Sequence, residues 1–117
     1  MQSLAQPPAS PNEPAGTTEG TPLTAYAIAR VDVTDPEKYA EYTKRTPAAV
    51  AAFGGRFIAR GGTTETLEGP TETRRVVVIE FPDFEQAKAC FASDQYAEAK
   101  SYRVGAAEME VVIVDGA

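Results

Sequence analysis

The order in which strand and helix periodicities follow one another is the feature that most constrains how this chain folds. Four segments have the sequence pattern of strands: residues 25–33 alternate apolar with polar side chains, and residues 74–81 are β-branched and almost continuously apolar. Two longer segments repeat apolar residues at helical spacing. In chain order these are strand 25–33, helix 36–53, strand 56–60, strand 74–81, helix 84–103 and strand 109–114. A β-α-β-β-α-β order is typical of the ferredoxin-like arrangement. We therefore expect an α+β fold, an antiparallel four-stranded sheet with two helices on one face.

Local signals mark the start and interior of the first helix. Asp35 can cap it with Pro36 at the first helical position, and Thr34 with Glu37 as a capping box is the alternative. Pro47 lies inside the same periodic stretch. Because proline has no backbone N–H to continue the helix, we expect a kink or a short break there.

Other breaks fall at small and polar residues. The glycine pair 54–55 follows the first helix and predicts its end, whereas the pair 61–62 predicts a bulge or bend within a strand that resumes over 63–68. Ser-Asp at 93–94 predicts a break in the second helical segment. The β-branched run 74–81 predicts a central strand.

Composition divides the 117-residue chain into two parts. Residues 1–22 contain five of the nine prolines and no Lys or Arg, which predicts a flexible proline-rich arm. They also lack the cationic start and apolar stretch of a secretory signal. Residues 23–117 are the length of a single domain.

Charge and residue types narrow the function. With 11 Lys+Arg against 17 Asp+Glu, the formal net charge is -6, which disfavours binding to nucleic acid or to an anionic membrane. The apolar run Val76–Ile79 is far shorter than the ~20 residues that span a bilayer. The sequence has no His, so it has no imidazole base, no His-ligated zinc and no His-ligated haem. Together with the single cysteine, these features lead us to expect a cytoplasmic protein that works without metal or cofactor.

The predicted sheet leaves one face uncovered. Counting by twos places Ile28, Ile58, Val76 and Val78 on that face, which is more apolar surface than a monomer usually exposes. A homodimer with the two sheets face to face would cover it.

Five stretches of the sequence resemble a known family. They are Tyr-Ala-Ile-Ala at 26–29, Val-Thr-Asp-Pro-Glu-x-Tyr at 33–39, the glycine-bounded run 54–62, Val-Ile-Glu-Phe-Pro at 78–82 and Ser-Asp-Gln-Tyr-x-x-Ala-Lys at 93–100. Over residues 25–116 the chain resembles the domain-of-unknown-function family 1330. The resemblance implies membership of the dimeric α/β-barrel superfamily, which includes cofactor-free monooxygenases acting on polycyclic phenols, lactone isomerases and haem-binding enzymes.

One position departs from that family. In many relatives the residue before the first glycine pair is His, whereas here it is Phe53. Chemistry that depends on an imidazole at this position is therefore not expected in this chain.

The candidate site follows from the same counting by twos. Tyr26, Arg30, Arg60 and Glu80 are predicted to share the barrel-facing side of the sheet, between the two subunits. Glu80 would be a general base, and Arg60 or a tyrosine hydroxyl would stabilise an enolate or a carboxylate. A purely structural Arg–Glu pair at the dimer interface is the alternative.

Two functions follow from these assignments. The first is cofactor-free acid/base chemistry on a small carbonyl or phenolic compound, with Glu80 and Arg60 as catalytic residues. Tyr39 and Tyr96, which fall in the family-like stretches, would join Tyr26 and Arg30 in binding the substrate. The second is a binding or stress-associated dimer without turnover.

Cys90 lies in an apolar stripe and is expected to be an inert buried thiol.

Overall fold

A computed structural model of the chain describes residues 23–117, so the predicted arm 1–22 lies outside the described residues. The elements follow the predicted order, with the second helical segment divided in two. They are β1 Ala25–Val33, α1 Pro36–Ala51, β2 Arg56–Arg60, β3 Arg75–Phe81, α2 Phe84–Phe91, α3 Asp94–Ser101 and β4 Ala107–Asp115.

The four strands form one antiparallel sheet in the order β2-β3-β1-β4. β3 is central, as its apolar run predicted, and β2 and β4 are the edges. Alternate residues such as Ala27, Val31, Val77 and Ile79 are buried in the core against the helices. Because side chains alternate across a strand, the other set faces away from the helices. This confirms the α+β ferredoxin-like fold.

Side-chain caps fix the helix starts. Asp35 caps α1 and accepts a hydrogen bond from the backbone N–H of Lys38 at 3.1 Å, so the Asp35–Pro36 alternative is the one adopted. Asp83 caps α2 in the same way. Ser93 caps α3, with its hydroxyl 3.1 Å from the backbone nitrogen of Tyr96, which confirms the predicted break.

A kink or a short break was predicted at Pro47, and the break is wrong, because α1 continues through this residue. Pro47 cannot donate to the carbonyl of Thr43, one turn earlier, so that acceptor loses its usual partner. The Arg60 guanidinium takes this place and donates from Nη2 to the Thr43 carbonyl at 2.9 Å. It also lies 4.2 Å from the Phe57 ring centroid. A side chain from β2 thus supplies the hydrogen bond that the helix itself cannot make.

A β-bulge at Ile58 aims Arg60 toward that carbonyl. Phe57 pairs with Ile79 while Ala59 pairs with Val78, so Ile58 is an extra residue in the ladder. Beyond it the alternation is reversed, and Arg60, which is paired with Val77, extends from the helix side of the sheet.

The bulge expected at the glycine pair 61–62 is therefore misplaced, and the strand does not resume over 63–68. β2 ends at Arg60, and residues 61–74 form a loop. Gly61, at φ +75°, makes the turn and donates its backbone N–H to the carbonyl of Val76 at 2.9 Å.

The sheet face opposite the helices remains uncovered and apolar within the described part of the chain. Ile58, Val112 and Val114 are 47%, 53% and 46% exposed. Among the described residues, no helix is both long and apolar enough to cross a membrane.

The bond between Arg60 and the Thr43 carbonyl can be tested by a double-mutant cycle. Arg60→Met should lower the free energy of unfolding by about 1 kcal/mol, because it leaves a helix carbonyl without a donor. In a Pro47→Ala background the restored backbone N–H takes the donor's place, so the same substitution should cost clearly less. Urea unfolding of the four proteins measures both losses. Equal losses in the two backgrounds would contradict this account of Pro47.

Candidate functional site between the helices and the sheet

A cavity of about 30 Å³ lies between the helices and the sheet. Its walls come from β1, α1, β2, β3, the region of α2 and α3, and β4, so it belongs to the core side of the domain. It is mostly apolar, with polar groups from arginine, tyrosine and threonine. The lining residues are Ala27, Ala29, Tyr39, Tyr42, Thr43, Thr46, Val50, Phe57, Arg60, Arg75, Val77, Ile79, Phe91, Tyr96, Met109 and Val111.

Two guanidinium groups border this cavity, and no carboxylate lines it. Arg75 begins β3 and pairs with Val31, which places it on the core side of the sheet. A Cβ added at Gly61 would collide with the Arg75 guanidinium, so glycine makes room for it. Its Nε is buried without a hydrogen-bond partner. Within residues 23–117 neither Arg60 nor Arg75 forms a salt bridge.

Tyrosine hydroxyls supply the other polar groups. The Tyr42 and Tyr96 hydroxyl oxygens are 2.8 Å apart, and the Tyr42 oxygen is 3.9 Å from the Met109 sulfur. Desolvation raises the pKa of Tyr42. It also raises the pKa of Tyr39, against the opposing effect of Arg75, whose guanidinium carbon is 6.0 Å from the Tyr39 ring centroid. Tyr39 and Tyr42 are therefore neutral at physiological pH and can donate a hydrogen bond.

This combination defines the chemistry open to the site. Apolar walls with a few convergent polar groups are typical of a small-molecule site. Guanidinium groups without a carboxylate partner attract an anion, and neutral phenols can donate to its oxygen. The lining contains neither a carboxylate nor a histidine, so the cavity offers cations and donors but no evident base.

Three of the six predicted site residues border this cavity, namely Arg60, Tyr39 and Tyr96. The expectation that Arg60 shares a face with Glu80 is wrong, because the bulge at Ile58 turns Arg60 to the core side. Arg60 is instead hydrogen-bonded to α1 through the Thr43 carbonyl.

The other three predicted residues lie on the uncovered face. Glu80 accepts from Arg56 Nε at 2.7 Å, so the predicted Arg–Glu pair exists with a different arginine, and Tyr26 is the cross-strand neighbour of Glu80. Arg30 Nε lies 3.2 Å from Glu72. Hydrogen bonds from Arg74 lower the pKa of Glu72 to about 2. On this face, each of these carboxylates already has a guanidinium partner.

Two residues of the cavity were missed from the sequence. Arg75 has the same parity as Val77 and Ile79 and so could have been assigned to the core side by counting along β3. Tyr42 is on the buried face of α1, where helical spacing alone indicates a core residue, and only its contact with Tyr96 reveals a polar role.

Phe53 and Cys90, which were singled out from the sequence, do not line the cavity. Phe53 is partly buried and packs against the core. Cys90 is fully buried, and desolvation raises the pKa of its thiol to about 11, as expected for an inert cysteine. Residues 23–117 hold no group of three or more His, Cys, Asp or Glu placed to bind a metal ion.

Solved structures confirm the fold. A protein of unknown function from Rhodopseudomonas palustris superposes with a TM-score of 0.65 at 20% identity, covering 81% of this chain and 83% of the other. SnoaB, a cofactor-independent oxygenase from Streptomyces nogalater, superposes with a TM-score of 0.59 at 16% identity, covering 81% of this chain and 94% of SnoaB.

Sequence comparison agrees with the resemblance found in the motifs. No curated protein sequence matches the chain. Residues 24–117 match the domain of unknown function DUF1330. The chain therefore belongs to the DUF1330 family.

Proposed function

We propose that the cavity between the helices and the sheet binds a small apolar molecule through an oxyanion. One observation carries this proposal: Arg60 and Arg75 border an apolar cavity that no acidic side chain lines. Arg75 is half-buried, and removing hydration from its guanidinium is costly unless an anion compensates the charge, whereas Arg60 is exposed to solvent. A carboxylate, phenolate or enolate oxygen on the ligand would supply that compensation.

The two arginines have different parts in this proposal. Arg60 already donates one N–H to the Thr43 carbonyl, which fixes its guanidinium at the edge of the cavity. Its part is therefore to contribute positive charge there. Arg75 has a buried Nε without a partner and is the stronger candidate for direct contact. Tyr39, the cavity residue beside Arg75, would donate to the same oxygen.

The size of the cavity adds a requirement. About 30 Å³ holds only one or two water molecules. A ligand must therefore displace wall side chains as it enters. Met109 is suited to this, because an unbranched thioether adapts its shape at little cost.

The reaction class supported by this arrangement is cofactor-free chemistry on a small carbonyl or phenolic compound. A fixed cation stabilises the negative charge that forms when such a compound loses a proton. SnoaB, which shares the fold, is a cofactor-independent oxygenase. Glu80 lies on the opposite face of the sheet, so the proposal gives it no part in the cavity. Because the cavity lining has no base, the compound loses its proton to bulk water before it enters, and the cavity binds the resulting oxyanion.

Binding of a matched pair of probes tests the oxyanion site. 1-Naphthoate and 1-naphthamide have nearly the same shape but differ in charge. The wild-type protein should bind the naphthoate more tightly, and Arg75→Met should weaken naphthoate binding about tenfold, the loss expected for one charged hydrogen bond. Naphthamide binding should change little. Isothermal titration calorimetry measures the four dissociation constants.

Arg56→Met is the matched control, since Arg56 is also a strand arginine but lies on the uncovered face, paired with Glu80. It should leave the preference for naphthoate intact. Equal affinity of the wild-type protein for the two probes would contradict an oxyanion site, and so would an equal effect of the two arginine substitutions.

A second candidate function is that of a homodimer in which the Arg and Glu residues of the uncovered face are structural. The exposed apolar side chains beside the Arg56–Glu80 pair support it. Packing two such faces together would remove apolar surface from water and bury the ion pair. This candidate needs no turnover and is compatible with a ligand in the cavity.

Dilution tests that interface. Glu80→Gln should weaken dimerisation, because it leaves the Arg56 guanidinium without its anion in a buried interface. The midpoint of thermal unfolding should then lie below that of the wild-type protein at high concentration, and the difference should shrink on dilution as both proteins become monomeric. Glu41→Gln, which removes a carboxylate paired with Lys44 and Arg45 on α1, is the control. Identical concentration dependence in all three proteins would argue against the interface.

A further inference from the structure

A larger, open groove runs along the β4 edge of the sheet beside α2 and α3. Its volume is about 680 Å³, within the range of small-molecule sites. Its walls are apolar, and cationic side chains stand among them. The residues that line it are Phe84, Lys88, Phe91, Tyr96, Lys100, Arg103, Met109, Val111, Val112 and Ile113.

The charge of this groove is opposite to that of the chain. Three cations, Lys88, Lys100 and Arg103, line it, and no acidic residue does, although the chain has a net charge of -6. Lys88 has one distant partner, Glu85, with 3.9 Å between their charged atoms. Arg103 has a buried Nε without a hydrogen-bond partner. A concentration of positive charge on an acidic protein favours an anionic occupant.

The groove and the cavity are neighbours that share a wall. Phe91, Tyr96, Met109 and Val111 line both. The Phe91 and Tyr96 rings meet edge to face with 4.8 Å between their centroids. The Arg103 guanidinium carbon lies 5.2 Å from the ring centroid of Tyr42, another residue of the cavity. The four shared residues therefore place the cavity and the groove next to each other.

We propose that the groove and the cavity form one elongated site for a molecule that carries two acidic groups on an apolar body. One acidic group binds at Arg75, and the apolar body lies along the shared wall. The second acidic group binds to Lys88, Lys100 and Arg103 in the groove. The contact at Arg75 rests on the function proposed above. The contact in the groove adds that the ligand carries a second acidic group.

A diacid and its half-ester test this proposal. Decanedioate and its monomethyl ester share the apolar chain and one carboxylate, and the ester lacks the second charge. The wild-type protein should bind the diacid about tenfold more tightly, as for a charge-assisted contact. The double variant Lys88→Met/Lys100→Met should lose most of this preference, because Arg103 is the one groove cation that it keeps. Lys44→Met, which removes a lysine on α1 outside the groove, should keep the preference for the diacid.

Failure of the two proposals can be told apart. Equal binding of diacid and ester by the wild-type protein would overturn the groove as an acid site while leaving the cavity untouched. If Arg75→Met loses ester binding, the contact of one acidic group with Arg75 is supported. If ester binding is unchanged in this variant, that contact is absent and the elongated site is wrong. If the double lysine variant changes the sedimentation coefficient and not the diacid preference, the groove is a contact between subunits and the proposal is wrong.

Discussion

The hydrogen bond from the Arg60 guanidinium to the Thr43 carbonyl links features that are far apart in the sequence. Pro47 leaves that carbonyl without a donor inside α1, and a single extra residue at Ile58 turns Arg60 to the side of the sheet where the carbonyl lies. The bond therefore ties the edge strand β2 to the first helix. It also holds the Arg60 cation at the edge of the core cavity. Without the extra residue, the alternation of β2 would have placed Arg60 on the opposite face of the sheet.

The two faces of the sheet consequently differ in their electrostatics. On the uncovered face Glu80 pairs with Arg56 and Glu110 with Arg74, whereas Asp32 and Glu108, cross-strand neighbours there, form no salt bridge within residues 23–117. On the helix side, Arg60 and Arg75 border the cavity without any acidic lining, and three more cations line the adjoining groove. Compensated pairs beside exposed apolar residues suit contact with a second subunit. Uncompensated cations beside an apolar cavity suit an anionic ligand.

Periodicity and caps were enough to predict the order of elements, the central position of β3 and the break before α3, because each depends on residues close in sequence. The site could not be predicted in the same way. Assigning side chains to faces by counting in twos assumes an unbroken ladder, and the bulge at Ile58 carries no glycine or proline to reveal it. For Pro47, the sequence shows the lost N–H but not the arginine on another element that replaces it. By contrast, Arg75 follows the ordinary alternation of β3, and its place on the core side was open to prediction.

The proposed ligand binds on the helix side of the sheet rather than on the uncovered face. Val77 and Val78 are adjacent in β3 but point to opposite sides, since Val77 lines the cavity and Val78 pairs with Ile28 on the uncovered face. Intermolecular NOEs between bound 1-naphthoate and methyl-labelled valines therefore distinguish the two locations directly. Binding on the helix side predicts NOEs to the methyl groups of Val77 and none to those of Val78. NOEs to Val78 without any to Val77 would contradict it.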